Sequence, residues 1–281
     1  MHIAPVGDRG RRWRRRIAYA ILVAYALLMC VPFAWTVITS FKTLPDSLRP
    51  TIIPDPFTTQ GWEYALRVLE PSVVVLFTDS LLLALAVMAS NLVLGSFAGY
   101  AFARLRFPGR EFLFLVVLAT LMIPDQLRLV PVYLLFVNAG LTAGFGQYLA
   151  VFLLLAISAT SIFLLRQYFL TIPRDLEEAA RIDGAGFFTT FWRVMLPLAS
   201  PALAAVAVLQ FQGTWNAFFW PVVFLTEREH ATLPLGLYLF RFAGGVATNL
   251  PPLMATVVIA TIPILVLYLF FQRYFVEGVA A

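Results

Sequence analysis

Cysteine, lysine and histidine are nearly missing from this sequence, and each scarcity closes off a chemistry. The single cysteine, Cys30, lies inside an apolar run, so neither a disulfide framework nor a cysteine metal site is available, and the residue reads as packing. The single lysine, Lys42, has no glycine-rich run before it. Without G-x-x-x-x-G-K-[ST] the chain has no P-loop and is not a nucleotide-hydrolysing motor of that kind. The two histidines are His2, near the start, and His230, in the cluster Glu227-Arg228-Glu229-His230; both are expected to be solvated. Neither belongs to an H-E-x-x-H, and no histidine falls inside an apolar run, so the constellation of an intramembrane enzyme is missing. Charge itself is sparse. Only 12% of the 281 residues are charged, against roughly 25% in a soluble domain, and 61% are hydrophobic. That balance describes an integral membrane protein, and the apolar runs described below make the expected fold all-α.

The net charge of +5 is explained by where the arginines stand. Arg9, Arg11, Arg12, Arg14, Arg15 and Arg16 directly precede an apolar run over residues 17–38, whereas a nucleic-acid binder needs a basic face on a folded domain. A secretory signal has an apolar region of only about 7–15 residues and a small-residue cleavage site, so this run reads as an uncleaved first span. The arginine pairs also resemble a twin-arginine export signal, but no soluble domain follows.

Five further spans are expected. Residues 40–71 are too polar, and too broken by Pro45, Pro50, Pro54 and Pro56, to cross a membrane, and read as an external loop. Span 2 covers residues 80–103, with Gly95 and Gly99 spaced to let another helix approach closely. Span 3 starts at Phe112 and is interrupted by Pro124, Asp125, Arg128 and Pro131 before reaching Val137; Asp125 and Arg128 are spaced to pair, as a functional or a structural feature. Span 4 covers residues 147–165. Span 5 covers 198–225 and contains Pro201, Gly213 and Pro221, so it is not expected to be straight. Span 6 opens at Pro251 and Pro252 and ends near Gln272. Six spans put both termini on one side. That side carries fourteen of the twenty basic residues, and the other side carries Lys42, Arg49, Arg67, Arg128, Arg228 and Arg241. The positive-inside rule then makes residues 1–16, 104–111, 166–197 and 273–281 cytoplasmic. The expected organisation is a basic tail over 1–16, a six-span domain over 17–275 and a short tail over 276–281.

Between spans 4 and 5 lies a charged, helix-forming insert, residues 173–197. Pro173 fits a first helical turn, Asp175, Glu177 and Glu178 complement the dipole there, and Gly184 stops the helix in a left-handed conformation. A second short helix can then run from Gly186 to Met195 before Pro197. Ala179 and Ala180 leave one face small while Arg174, Glu178 and Arg181 charge its neighbour, which suits docking into a cleft of another protein. On spacing alone, a solvated, salt-bridged loop helix is the alternative.

Glu178-Ala179-Ala180, three residues, Gly184, nine residues, then Val194-x-Leu196-Pro197 resembles the EAA loop of ABC-importer permeases, with Val194 where isoleucine is usual. Four further stretches resemble the second permease of maltose-type, sugar-importing systems. They are Thr39-Ser40-Phe41-Lys42, Arg106-Phe107-Pro108-Gly109-Arg110, Pro124 to Pro131 with Tyr133, and Gln272-Arg273-Tyr274-Phe275-Val276-Glu277-Gly278. Trp215-Asn216 belongs with them, but Ala217 stands where that family often has a polar or acidic residue. The resemblance implies a cytoplasmic coupling helix–turn–helix in which Glu178, Ala179, Ala180, Gly184, Leu196 and Pro197 meet the ATPase. It implies no cofactor in this chain, with ATP used by the partner subunit. The implied partners are a second permease, with a heterodimer favoured, two ATPase subunits, an extracytoplasmic solute-binding protein and membrane lipid, in the inner membrane. Gln212, Trp215, Asn216 and Phe219 are candidates for the path of a sugar, whose apolar faces suit aromatic rings and whose hydroxyls suit amides. An aromatic belt at the outer interface is the competing reading for the rings. An ion-coupled carrier is the competing reading for the whole chain, with Asp125 its one acid well inside an expected span and no internal repeat.

Overall fold

The computed structural model describes residues 8–227, 230–243 and 249–280, and among them it contains helices and no strand. Two compact units share the chain, Met1–Val68 with Phe240–Ile259, and Leu69–Leu239 with Ala260–Ala281. Among the described residues, four stretches are long and apolar enough to cross a membrane: Arg12–Ser40, Val73–Arg104, Phe145–Thr171 and Leu250–Gln272. Two further helix pairs qualify together but are bent, Arg110–Thr120 with Asp125–Asn138 by 99° and Phe187–Leu198 with Ser200–Phe224 by 75°. With each bent pair counted as one span there are up to six, the number expected, although the second pair begins at Phe187, within the insert.

The first unit opens with α1 (Asp8–Ser40), whose apolar window is wholly exposed. The arginines at 12 and 14–16 are therefore the first turns of the spanning helix, without a break between them and the apolar run. After α1 the chain forms an ordered cap where a polar loop was expected. The cap contains α2 (Leu44–Ser47), α3 (Gln60–Glu63) and a widened turn over Tyr64–Val68. Its centre is Lys42, 1% exposed. The ammonium donates to the Thr51 carbonyl and, at 2.9 Å, to the Thr51 hydroxyl, and lies 3.9 Å from Asp46 and 5.1 Å from the Trp35 ring centre. Burial alone would raise the Asp46 carboxyl; the Asp55 N–H, the Thr51 hydroxyl and the charges of Lys42 and Arg49 outweigh it and hold the group below its ordinary range. Phe41 stacks between Phe57 and Trp62, and the Trp62 indole donates to Ser40 at 3.2 Å.

The second unit is built on α4 (Val73–Arg104), α8 (Ala159–Thr171) and α12 (Ser200–Trp215). Gly95 and Gly99 of α4 face α8: a Cβ on Gly99 would lie 2.9 Å from Leu165 Cβ and 3.0 Å from the Arg166 nitrogen. No larger residue fits without parting the helices. α4 starts seven residues before the expected Ser80, so Asp79 lies inside it, accepting a 2.6 Å hydrogen bond from Tyr148. Asp125 is therefore not alone among acids within the spans. It opens α6 (Asp125–Asn138), after the break at the end of α5 (Arg110–Thr120), and pairs with Arg128, whose Nε is 3.0 Å away. Both side chains are more than 40% exposed, and Arg128 also lies 5.8 Å from the Trp220 ring centre.

Span 4 is not one uniform helix. α7 (Phe145–Leu155) stops and α8 restarts after residues 156–158, with the Ser158 hydroxyl accepting from the Thr160 N–H. An interruption in an apolar medium leaves carbonyls that water cannot reach. Two side chains of α4 satisfy them: Ser90 donates to the Ala156 carbonyl and Asn91 donates at 2.8 Å to that of Leu155. Asn91, wholly buried, also donates to the Val87 carbonyl and accepts from Ser161, so its amide is fully used. At the start of α7, buried Gln147 donates to Glu227 at 2.9 Å and accepts the Thr226 N–H at 3.0 Å, which ties the segment after α13 (Phe219–Phe224) to α7. His230 is not simply solvated, as expected from its cluster: it is half-buried, 3.5 Å from Glu227 and edge-on to Tyr148. His2 lies outside the described residues. The chain closes with α14 (Leu233–Ala243) and α15 (Leu250–Ala280).

Asn91→Leu removes the donor for the Leu155 carbonyl and keeps the volume. The variant is expected to lose about 1–2 kcal/mol, read as a lower unfolding midpoint of the purified protein in detergent. An unchanged midpoint would refute the role given to Asn91.

Candidate functional site: the coupling insert and the α12 face

The insert leaves α8 through Ile172, which is extended because Pro173 follows it. Pro173 precedes the next helix where a place in its first turn was expected: α9 (Asp175–Ile182) starts two residues later, with Arg174 at its cap. Asp175, Glu177 and Glu178 occupy the first turn, where the unpaired N–H groups and the dipole favour negative charge. At the other end the Ala185 N–H returns to the Ala180 carbonyl at 2.9 Å and the Gly184 N–H to that of Arg181 at 3.0 Å. This pair of bonds is a Schellman motif, and it requires the left-handed conformation that Gly184 adopts at φ +83°.

The second helix, α10 (Phe187–Thr190), does not end before Pro197. It widens by one residue over Phe191–Met195, where the Leu196 N–H reaches back to Phe191, and continues as α11 (Leu196–Leu198) through the proline. A proline and a widened turn in succession are two sources of a sharp kink, and the bend into α12 comes at once.

The two faces of the insert differ. Its inner face shares a core with the ends of the spans, made of Tyr100, Ala103, Leu165, Phe169, Ile172, Phe191, Met195 and their neighbours. The Tyr100 ring is 5.0 Å from Phe191, 5.5 Å from Phe169 and 5.6 Å from Phe187. Glu177 is also inside, its carboxylate 3.0 Å from Arg104 Nε. The outer face shows Glu178, Ala179, Gly184 and Pro197 exposed, with Ala180 and Leu196 half-buried. Ile182 is 86% exposed and Phe188 66%, too much apolar surface to face only water. Sequence reasoning singled out Glu178 and passed over Glu177, its neighbour, although the dipole argument applies to both.

The span 5 candidates are not a single cluster. α12 ends at Trp215, and residues 216–218 interrupt the helix, so Phe219 at the start of α13 loses the register that would align it with Gln212 and Asn216. Trp215 is 2% exposed, its indole donates at 3.0 Å to the Ala260 carbonyl, and its ring stacks on Phe211. It is a packing residue, neither free to meet a solute nor placed as an interfacial belt. Gln212 and Asn216 are exposed one turn apart beside Leu209 and Gly213, and the Asn216 amide caps the helix by donating to the Gln212 carbonyl at 2.9 Å.

Residues 91–280, which include the insert and both ends of its support, match the family described as binding-protein-dependent transport system inner membrane component. The chain belongs to that family. This permease is 35% identical over 269 residues to the arabinooligosaccharides transport system permease protein AraQ of Halalkalibacterium halodurans, covering 95% of this chain and 94% of that one. It is 31% identical over 269 residues to the sn-glycerol-3-phosphate transport system permease protein UgpE of Brucella abortus, covering 93% and 94%. A crystal structure of a bacterial ABC transporter involved in the import of the acidic polysaccharide alginate superposes with a TM-score of 0.80 at 25% identity, covering 97% of this permease and all of that chain. The chain is thus a non-catalytic, multi-pass permease subunit of an ABC importer, the ATPase being a separate subunit, and the ion-coupled reading falls away.

At Gly184 an added Cβ meets nothing within 4 Å, so a substitution there acts through the backbone alone. Gly184→Val is expected to cost about 1–2 kcal/mol of local conformation and to abolish transport while the permease still inserts; Gly184→Asn, which tolerates that conformation, should retain most of it. Solute-stimulated ATPase activity of the two complexes is the measurement, and equal normal rates would refute the claim.

Proposed function

We propose that this permease forms half of the translocation path for a sugar or sugar-like solute and that residues 173–197 dock on the ATPase from the cytoplasmic side. The observation that carries the docking is the division of the insert into a buried base and an exposed small-and-charged face, Glu178 with Ala179 before the Gly184 turn. Orientation rests on the basic residues. Fourteen of the twenty stand on the side of the insert and six on the other, and it is this excess of arginine that supports a cytoplasmic insert. ATP is consumed by the partner subunit, and a solute-binding protein delivers from the other side. The solute class rests on the relatives, whose named solutes, arabinooligosaccharides, a glycerol phosphate and alginate, are all polyhydroxylated. The path rests on α12: an amide turned to lipid is poorly satisfied, so exposed Gln212 and Asn216 suit a cavity or the second permease, with Phe219 near by.

Two measurements test this reading. A thiol introduced as Ala185→Cys is expected to react with a membrane-impermeant reagent only from the cytoplasmic side; labelling from outside in intact cells would overturn the orientation. Gln212→Ala and Asn216→Ala, in complexes of unchanged abundance, should change transport rate or solute preference by about 5–10-fold, the scale of losing one hydrogen bond. Kinetics identical to the parent would remove both from the path.

A further inference from the structure

One guanidinium joins three elements where the spans meet the insert. Arg104 is the last residue of α4, and its side chain is 4% exposed. Its terminal nitrogen donates to the carbonyl of Ile172, the residue that closes α8, where the helix dipole favours a cation. Its Nε lies 3.0 Å from Glu177 Oε1, the carboxylate in the first turn of α9, whose side chain is 10% exposed. Neither of those two atoms completes an aligned hydrogen bond among the described residues, with the other or with a third group, so the contact is one of charge. Two ionised groups out of water stay there only as a pair.

We propose that Arg104 and Glu177 are positioning residues: the joint through which displacement of the coupling insert reaches α4 and α8. The inference rests on the docking of residues 173–197 on the ATPase. Successive residues of a helix differ by about 100° in direction, so Glu178 faces the docking side while Glu177 faces the permease, and a push on one face of α9 is delivered at the other. A purely apolar contact would let α9 slide; a buried charge cannot leave its counter-charge without exposing both to an apolar surrounding. From α4 the displacement passes to α8 through Gly95 and Gly99, where the two backbones touch and cannot approach further.

The test uses the complete importer, with second permease, ATPase subunits and binding protein, carrying Arg104→Gln, Glu177→Gln or both. Three quantities are read: ATPase subunits retained on the purified complex, ATP hydrolysed, and solute moved per ATP. Each single change is expected to leave the subunits bound and hydrolysis running while solute moved per ATP falls about tenfold. The double change, which leaves no lone buried charge, should be no worse than either single change. An unchanged ratio, or multiplying losses in the double variant, overturns the joint. So does release of the ATPase with hydrolysis and transport falling in step, which marks the pair as scaffolding. Glu178→Arg separates the underlying reading: if the ATPase stays bound and stimulated with that change on the outer face, the docking assignment fails, and the joint fails with it.

Discussion

Everything in the second unit depends on how near α4 and α8 lie. The distance is set by a missing side chain: at Gly99 the space for a Cβ is taken by Leu165 and the Arg166 backbone. In lipid, burial of apolar surface does not drive helices together, because the tails outside are as apolar as the core inside, so close packing and hydrogen bonds must do so. Both are present along this one contact. The glycines give the approach, and Asn91 and Ser90, further along α4 towards its start, donate to the carbonyls freed where span 4 is interrupted. The end of α4 then arrives beside the end of α8, close enough for Arg104 to reach Ile172 and for Arg166 to reach Phe102 and Glu111. The insert is seated on a platform whose geometry was decided several turns deeper in the membrane.

The two units solve the problem of charge differently. In the second, arginines close helix ends: Arg104 over α8, and Arg166 on the Phe102 carbonyl and 3.9 Å from the Phe114 ring centre. In the first, the only lysine is withdrawn from water and spent on folding a cap, with Thr51, Asp46 and Trp35 around it. A polar, proline-broken composition is expected to mark a solvated loop, and here it does not. Nothing in the spacing of Lys42 and Asp46 distinguishes a buried pair from two surface residues; Thr51, whose hydroxyl meets both, is itself exposed.

Long apolar runs made the spans legible, and capping chemistry made the insert legible: a residue able to take positive φ was required at 184, and glycine is there. The misses share a cause. Asp79 broke the apolar run and so moved the expected start of span 2, but a carboxylate is tolerated inside α4 once Tyr148 donates to it. The interruption at 156–158 follows a run of leucines with no glycine or proline, and its traces are Ser158, which caps α8, and an asparagine sixty-four residues before Leu155 that needs a partner. From the sequence, Trp215 reads as path or belt, the two roles in which tryptophan is seen at a surface. Its donor satisfies a carbonyl of α15 in the interior, a demand that arises only when another helix is present.

Adjacent glutamates show where a motif stops and packing takes over. Glu178 and Glu177 have the same side chain, the same helix and the same favourable dipole, and sequence periodicity places them about 100° apart without saying which points inward. What decides is the position of one cation on another helix. Arg104 is held at the α8 terminus by the Ile172 carbonyl, and α9 is rotated so that a carboxylate covers the remaining charge. The exposed glutamate and the alanines after it are then free to face a partner because their neighbour is not. The docking surface proposed for this permease is in that sense the reverse side of an internal ion pair, between Arg104 of α4 and Glu177 of α9.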